Sequence, residues 1–156
     1  MIDILTFVTA LCTAIAAGVF FAFSTFIMAA LRRMPAPQGI AAMQSINVTV
    51  LTPLFMIPLF GAGLLAAVLA VVGILRLGEP NGAYLLAGSL VYLLGTPIIT
   101  IVYHVPRNNA LDRLDPSTSD SADQWARYLR EWTGGNHVRT LSSLAATGLL
   151  IAALLV

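Results

Sequence analysis

Long apolar runs alternate with shorter polar segments along this chain. Four runs, at about residues 4–31, 48–75, 83–103 and 138–156, contain almost no charged side chain. A helix needs about 20 apolar residues to cross the hydrocarbon core of a bilayer. The runs are continuous and do not alternate apolar with polar positions, so they favour helices over barrel strands. The pattern predicts an all-α integral membrane protein with four spans.

The arginines are distributed unevenly between the two ends of these spans. The chain has eight arginines and no lysine, and seven of the arginines fall in or beside the first and third connections. Because basic residues are retained on the cytoplasmic side, we expect those two connections in the cytoplasm and both termini outside, in the plasma (inner) membrane. Short linkers favour an up-down-up-down four-helix bundle that forms one domain over residues 1–156.

The third connection contains a helical signal of its own. Apolar residues recur there at helical spacing and a glycine pair follows them: Trp125, Leu129, Trp132, Gly134 and Gly135. We predict a short amphipathic helix at about residues 121–132 that lies along the cytoplasmic interface. A capping box at Ser121 and Gln124 begins this helix and the glycine pair ends it, which leaves Asn136 to cap the fourth span.

Composition supports the membrane location and excludes other classes of protein. Hydrophobic residues make up 58% of the chain and charged residues 10%, whereas a soluble domain has about 25% charged residues. The net charge of +1 is too small for the basic surface with which a dedicated nucleic-acid-binding protein neutralises phosphates. The single cysteine, Cys12, excludes an internal disulfide framework.

Polar residues from all four spans gather near the predicted cytoplasmic end. A polar group at membrane depth is costly unless it is paired or functional, so this convergence predicts a pocket that opens toward the cytoplasm. The residues that we assign to this candidate site are Gln44, Asn47, His104, Asn108, Asn109, Asp112, Trp132, Asn136, His137 and Arg139. Four phenylalanines of the first span either face lipid or form an aromatic wall for a flat ligand: Phe20, Phe21, Phe23 and Phe26.

The residue types in this site allow several roles. His104 or His137 can act as a general base, because imidazole exchanges protons near neutral pH. The two histidines can instead ligate a metal or a haem iron, or lie at the interface bonded to loop backbone. Arg139 extends to the interface, pairs with a carboxylate such as Asp112 or Glu131, or stabilises an anion. The adjacent amides of Asn108 and Asn109 either cap a short helix or orient a carbonyl or enolate oxygen.

Four segments form an ordered set that covers nearly the whole chain. They are GVFFAFSTFIMAAL at 18–31, MQSIN at 43–47, VPRNNAL at 105–111 and, after Trp132, NHVRTL at 136–141. The set resembles the anthrone-oxygenase-like family of small four-span membrane proteins. His104 departs from this pattern, since the resemblance leads us to expect Asn before the Val-Pro pair.

The resemblance implies an oxygenase-type activity on a flat, apolar, phenolic molecule. Some fungal members oxidise anthrones to anthraquinones with dioxygen and without a cofactor, so no cofactor is expected here. His104 or His137 is then the base, and Asn47, Asn108, Asn109 and Arg139 hold the substrate oxygen. Two alternatives stay open, namely a non-enzymatic protein that binds lipid or quinone and a small bis-histidine haem protein. Membrane lipid and a small aromatic molecule are the expected partners, and the sequence leaves open whether the chain forms a homo-oligomer.

Overall fold

In a computed structural model that describes residues 1–156, the chain is almost entirely helical and contains no strand. The helices are α1 (Ile2–Ala22), α2 (Met28–Arg32), α3 (Ala36–Thr49), α4 (Pro53–Leu75), α5 (Gly82–Leu93), α6 (Val105–Asp112) and α7 (Ser121–Leu155). Three π-helical turns join some of them end to end: Phe23–Ile27, Leu94–Ile98 and Thr100–His104. The result is four continuous spans, each long and apolar enough to cross a membrane: Ile2–Arg32, Pro53–Leu75, Gly82–Asp112 and Ser121–Leu155.

The four spans pack into a bundle through small side chains. α1 contacts α4 and α7, and α5 contacts the same two helices, so each span has two neighbours. Four alanines lie at the centre of these contacts and are fully buried: Ala16, Ala62, Ala66 and Ala146. Lipid provides no hydrophobic force between helices, so close backbone approach of this kind holds them together. The predicted all-α membrane bundle is confirmed.

The start of the last span differs from the prediction. α7 runs without a break from Ser121 to Leu155, so the predicted short helix is the first part of this span. The capping box is not formed, because the Ser121 hydroxyl donates to the Pro116 carbonyl and the Gln124 amide donates to the Asp120 carboxylate. Asn136 lies inside the helix and caps nothing.

The glycine pair serves helix packing at this point, not helix termination. A Cβ atom on Gly135 would lie 2.5 Å from the Tyr103 ring and 2.9 Å from the His104 ring. A Cβ atom on Gly134 would meet nothing within 4 Å. Gly135 therefore lets the third span approach the backbone of α7, and the surrounding contacts outweigh the roughly 1 kcal/mol that a glycine costs inside a helix.

The start of the second span and the end of the third span also differ from the predicted boundaries, and each lies near a proline. Pro53 begins α4, and a short break at residues 50–52 separates α4 from α3. The helix α3 was not predicted from the sequence. The third span continues past residue 103 despite Pro106, which has no N–H to donate to the helix. The wide turn at Thr100–His104 ends two residues before this proline, and such turns accommodate an interrupted hydrogen-bond ladder.

Candidate functional site

A cavity of about 220 Å³ lies inside the bundle, at the end where the first and third connections are. Side chains from all four spans and from α3 line it, and 13 of the 18 lining residues are hydrophobic. The five polar lining residues are Asn47, Thr100, His104, Asn108 and Arg139. An apolar cavity with a few convergent polar groups is the usual form of a site for a small molecule.

Arg139 is the most unusual residue in this lining. Its side chain is buried, and one guanidinium nitrogen donates to the Asn136 side-chain oxygen at 2.8 Å while the other donates to the Thr100 hydroxyl at 3.3 Å. The Nε–H has no partner. The two ion pairs of the structure, Arg76–Glu79 and Arg107–Glu131, do not include it. A buried guanidinium therefore faces an apolar cavity without a counter-charge, an arrangement that is costly at membrane depth.

Two aromatic rings hold this guanidinium in place. Its central carbon lies 4.3 Å from the centre of the Phe20 ring and 5.0 Å from the centre of the Trp132 ring. The faces of both rings carry partial negative charge and attract a cation. These contacts fix the position of the charge but offer no hydrogen-bond acceptor, so the Nε–H stays without a partner.

Asn108 is held in one orientation by hydrogen bonds from α7. Its side-chain oxygen accepts a bond from the Tyr128 hydroxyl at 3.0 Å and another from the Trp132 indole N–H at 2.9 Å. An amide carbonyl oxygen has two lone pairs, so these donors saturate it. The remaining hydrogen-bonding group of Asn108 is its amide N–H₂, a donor on a residue that lines the cavity.

His104 lies beside these groups and is almost fully buried. Its ring packs edge-on against Trp132, with 5.1 Å between the ring centres. Its two nitrogens lie near backbone carbonyls, Nε2 at 3.3 Å from Trp132 and Nδ1 at 3.4 Å from Ile99. A neutral imidazole can donate through only one nitrogen, so at most one of these two contacts is a hydrogen bond while the ring is neutral.

The structure brings five of the ten predicted site residues to the cavity and leaves five outside its lining. Asn47, His104, Asn108, Trp132 and Arg139 line it. Of the others, Asn136 supports Arg139 from behind, and its amide donates to the Phe20 carbonyl and the Ser24 hydroxyl.

The remaining four lie farther from the cavity. Gln44 fastens α3 to the third connection by donating to the Leu111 and Leu114 carbonyls. Asp112 is exposed and lies 3.5 Å from the Asn47 amide, and Asn109 is exposed. His137 is exposed as well, so the two histidines do not line a common space as a bis-histidine haem site requires.

The four phenylalanines of the first span divide between two environments. Phe20 and Phe23 line the cavity, whereas Phe21 and Phe26 are exposed on the outside of the bundle, where lipid lies. Sequence reasoning did not assign the apolar lining from the start of α4, which includes Phe55 and Met56. No polar residue marks that segment, so the sequence contained no signal that could have selected it.

Comparison with known proteins gives one match. A model of the family described as "Anthrone oxygenase" matches residues 55–149, which is more than half of the chain. The chain belongs to the anthrone oxygenase family. The matched range includes four of the five predicted site residues that line the cavity, His104, Asn108, Trp132 and Arg139, and family membership confirms the resemblance found in the sequence. No curated protein and no solved structure matches the chain significantly.

A second and wider groove of about 440 Å³ lies outside the bundle, between α6 and the start of α7. Charged residues of both signs line it, and two of them, Arg107 and Glu131, form an ion pair at 3.0 Å. Its polar groups face water, where hydrogen bonds and ion pairs contribute little. The internal cavity is therefore the better candidate for the family's chemistry.

Proposed function

We propose that this protein is a membrane-embedded oxygenase that oxidises a flat, apolar, phenolic molecule of the anthrone type in the internal cavity. Membership of the anthrone oxygenase family supports the reaction class. The observation that carries the proposal is the buried guanidinium of Arg139, which has an unpaired N–H and no carboxylate partner beside apolar empty space. A ligand that becomes an anion in this cavity supplies the missing counter-charge.

The cavity favours a compact substrate with a ring system. Its volume of about 220 Å³ is below the range of about 300–1,000 Å³ that is typical of small-molecule sites. Phe20, Phe23, Phe55 and Trp132 supply ring faces and edges, which stack or pack edge-on with a planar ligand. Arg139, His104 and Asn108 all lie against Trp132, so a substrate with one oxygen-bearing end fits the distribution of the lining.

The proposed reaction begins with removal of a proton from the acidic methylene carbon of the anthrone. His104 accepts this proton after its ring turns toward the cavity, because it is the histidine that lines it. The electron pair of the broken C–H bond moves into the ring system and gives an enolate, whose oxygen is stabilised by Arg139 and the Asn108 amide. Donors positioned before the reaction stabilise such an oxyanion without further reorganisation.

The enolate then reduces dioxygen directly. The methylene carbon forms a C–O bond to dioxygen, and the resulting hydroperoxide takes up the proton held by His104. Loss of the second C–H proton and cleavage of the O–O bond yield the quinone carbonyl and water. One anthrone and one dioxygen thus give one anthraquinone and one water, and the proposed steps need no cofactor.

The test is dioxygen consumption by the full-length protein in lipid nanodiscs with a panel of anthrones and hydroquinones. We expect equal amounts of dioxygen consumed and anthraquinone formed, well above the rate in protein-free nanodiscs. Arg139→Gln should lower kcat/KM by about 10²- to 10³-fold, the usual effect of losing one oxyanion donor. Arg76→Gln is the matched control, because Arg76 pairs with Glu79 at the opposite end of the bundle and should leave turnover unchanged.

Binding without turnover would overturn the enzymatic proposal in favour of the second candidate, a protein that binds an anionic lipid or a quinone. That candidate is supported by the same unpaired guanidinium, because a lipid headgroup or a reduced quinone also carries an acidic oxygen. Absence of both binding and turnover across the panel would exclude the cavity as a site for this substrate class.

We also propose that the protein lies in the plasma membrane with both termini outside and the cavity near the cytoplasmic side. The seven arginines in or beside the first and third connections support this orientation. A membrane-impermeant thiol reagent tests it on Ser119→Cys in the Cys12→Ala background. Labelling should occur only after the membrane is opened, and labelling of intact cells would contradict the orientation.

A further inference from the structure

We propose that the cavity opens sideways between α4 and the third span, and that its ligand enters through this opening from the lipid bilayer. We call the opening the lateral window and define its rim as Leu51, Phe60 and Val105, which all line the cavity. As a route for an anthrone-type substrate the window rests on the proposed function. As an opening to lipid it stands on the packing of the helices alone.

The window exists because α4 and the third span pack together over only part of their length. α4 packs closely along α5, but it contacts the helix only sparsely beyond Leu94. Gly63 lies against Pro97 near the end of this contact, since a Cβ atom on Gly63 would be 3.7 Å from the proline ring. The π-helical turns at Leu94–Ile98 and Thr100–His104 follow in the third span, where the cavity begins.

The side chains of the rim face outward, whereas the opposite wall of the cavity is closed. Leu51, Phe60 and Val105 are 68%, 37% and 42% exposed. By contrast, Met43 of α3 and Trp132 of α7 are 1% and 5% exposed and belong to the core cluster that covers the end of the bundle. Phe60 and Val105 belong to membrane-spanning helices, where exposed apolar side chains contact acyl chains, so the accessible side of the cavity faces lipid.

The position of the polar groups indicates which end of a ligand enters first. Arg139 and His104 are 5% and 1% exposed, so their polar groups lie deeper than the exposed side chains of the rim. A molecule dissolved in the bilayer can therefore present an acidic oxygen to the interior while its rings remain near the window. The chemical class is a membrane-partitioned ring compound with its ionisable oxygen at one end.

Contact quenching of tryptophan fluorescence by brominated acyl chains tests the window without any substrate. The chain has two tryptophans, so Trp125→Phe leaves Trp132, which lines the cavity, as the sole reporter. In nanodiscs of brominated phosphatidylcholine we expect Trp132 to be quenched although its side chain is buried. Val105→Phe and Leu51→Phe in this background should each lower the quenching about twofold, because contact requires heavy atoms within about 4.5 Å.

Val102→Phe is the matched control, since Val102 is 63% exposed on the same span but does not line the cavity. It should leave the quenching of Trp132 unchanged. Quenching by aqueous iodide in place of brominated lipid, or equal effects of all three substitutions, would overturn the lateral window. Quenching that follows the prediction in a protein without anthrone turnover would keep the window and reject the proposed reaction, so the two failures are distinguishable.

Discussion

In the half of the bundle away from the cavity, the buried threonines of α1 bond to their own helix. Thr6 donates to the Ile2 carbonyl, Thr9 to the Leu5 carbonyl and Thr13 to the Ala10 carbonyl, at 2.7 to 3.0 Å. In the half that contains the cavity, Arg139 keeps an N–H without a partner and Asn108 presents an amide whose oxygen is already saturated. Both halves bury polar groups, but only one leaves hydrogen-bonding capacity beside empty space.

This difference shows what a polar residue inside a membrane span indicates. A threonine that bonds to the carbonyl one turn earlier satisfies its hydroxyl within the helix, so it needs neither a ligand nor a cavity. A guanidinium has five N–H donors and cannot satisfy them within its own helix. Residue type and available volume together, and not polarity alone, separate a packing region from a candidate site.

The comparison predicts its largest loss of activity for substitution of His104 and no loss for substitution of His137. His104→Ala should lower kcat/KM for anthrone oxidation by about 10²- to 10⁴-fold, the usual contribution of a general base. His137→Ala should leave it unchanged, because His137 is exposed and outside the cavity lining. Steady-state dioxygen consumption in nanodiscs measures both variants.

His104→Ala removes both a proposed base and a side chain that packs against Trp132, so a second variant is needed to distinguish the two effects on turnover. His104→Asn keeps a polar side chain at this position, and since the family resemblance leads us to expect Asn here, the base role of His104 is proposed for this chain and is not taken over from the family. Because an amide cannot accept the substrate proton, this variant should be as slow as His104→Ala while its thermal unfolding stays close to that of the unchanged protein. Wild-type turnover in both His104 variants would show that the base assignment is wrong.

A smaller effect is expected from the glycine pair of α7. Gly135→Ala places a methyl group against the Tyr103 and His104 rings and should displace both, which moves His104 from its place in the cavity wall. A displacement of about 1 Å near reacting groups can cost about 10²-fold in rate, so we expect a decrease of tenfold or more in kcat. Turnover in nanodiscs checks this expectation.

Gly134→Ala is the control from the next position of the same helix. Its methyl group meets no atom within 4 Å, so turnover should be unchanged. The variant should also unfold at a higher temperature, because alanine is about 1 kcal/mol better than glycine inside a helix. Equal activities for the two alanine variants would mean that the close approach at Gly135 does not position His104.

The sequence predicts the spans and half of the candidate site because both depend on strong local signals. Four long apolar runs are enough to count the spans, and a charged residue within one of them, Arg139, is enough to mark a position of interest. Asn108 and His104 were found for the same reason, as polar residues at the end of an apolar run. None of these inferences needed the exact rotation of a helix.

The other half of the candidate site could not be predicted, because it depends on helix rotation and on contacts between distant segments. His137 and Arg139 are two residues apart, yet one is exposed and the other is buried beside the cavity. π-helical turns shift the faces that follow them, and the sequence shows the prolines in or near two of the three, Pro97 and Pro106, but not the turns themselves. From the sequence alone, Gly135 is indistinguishable from a glycine that ends a helix. Only the structure shows that the ring of His104 packs against it.

The smallest effects should come from the half of the bundle away from the cavity, and they test whether the two halves are independent. Thr13 contacts the Thr147 hydroxyl of α7 at 2.8 Å, so Thr13→Val should lower the free energy of unfolding by about 0.6 kcal/mol, the average for such bonds in a membrane. Ser89 is the exception there, a buried hydroxyl without a partner, and Ser89→Ala should leave stability unchanged or raise it. Reversible unfolding in mixed detergent measures both values, and neither variant should alter turnover. A decrease in turnover for either one would show that packing in this half positions the cavity, and the separation between the two regions would then fail.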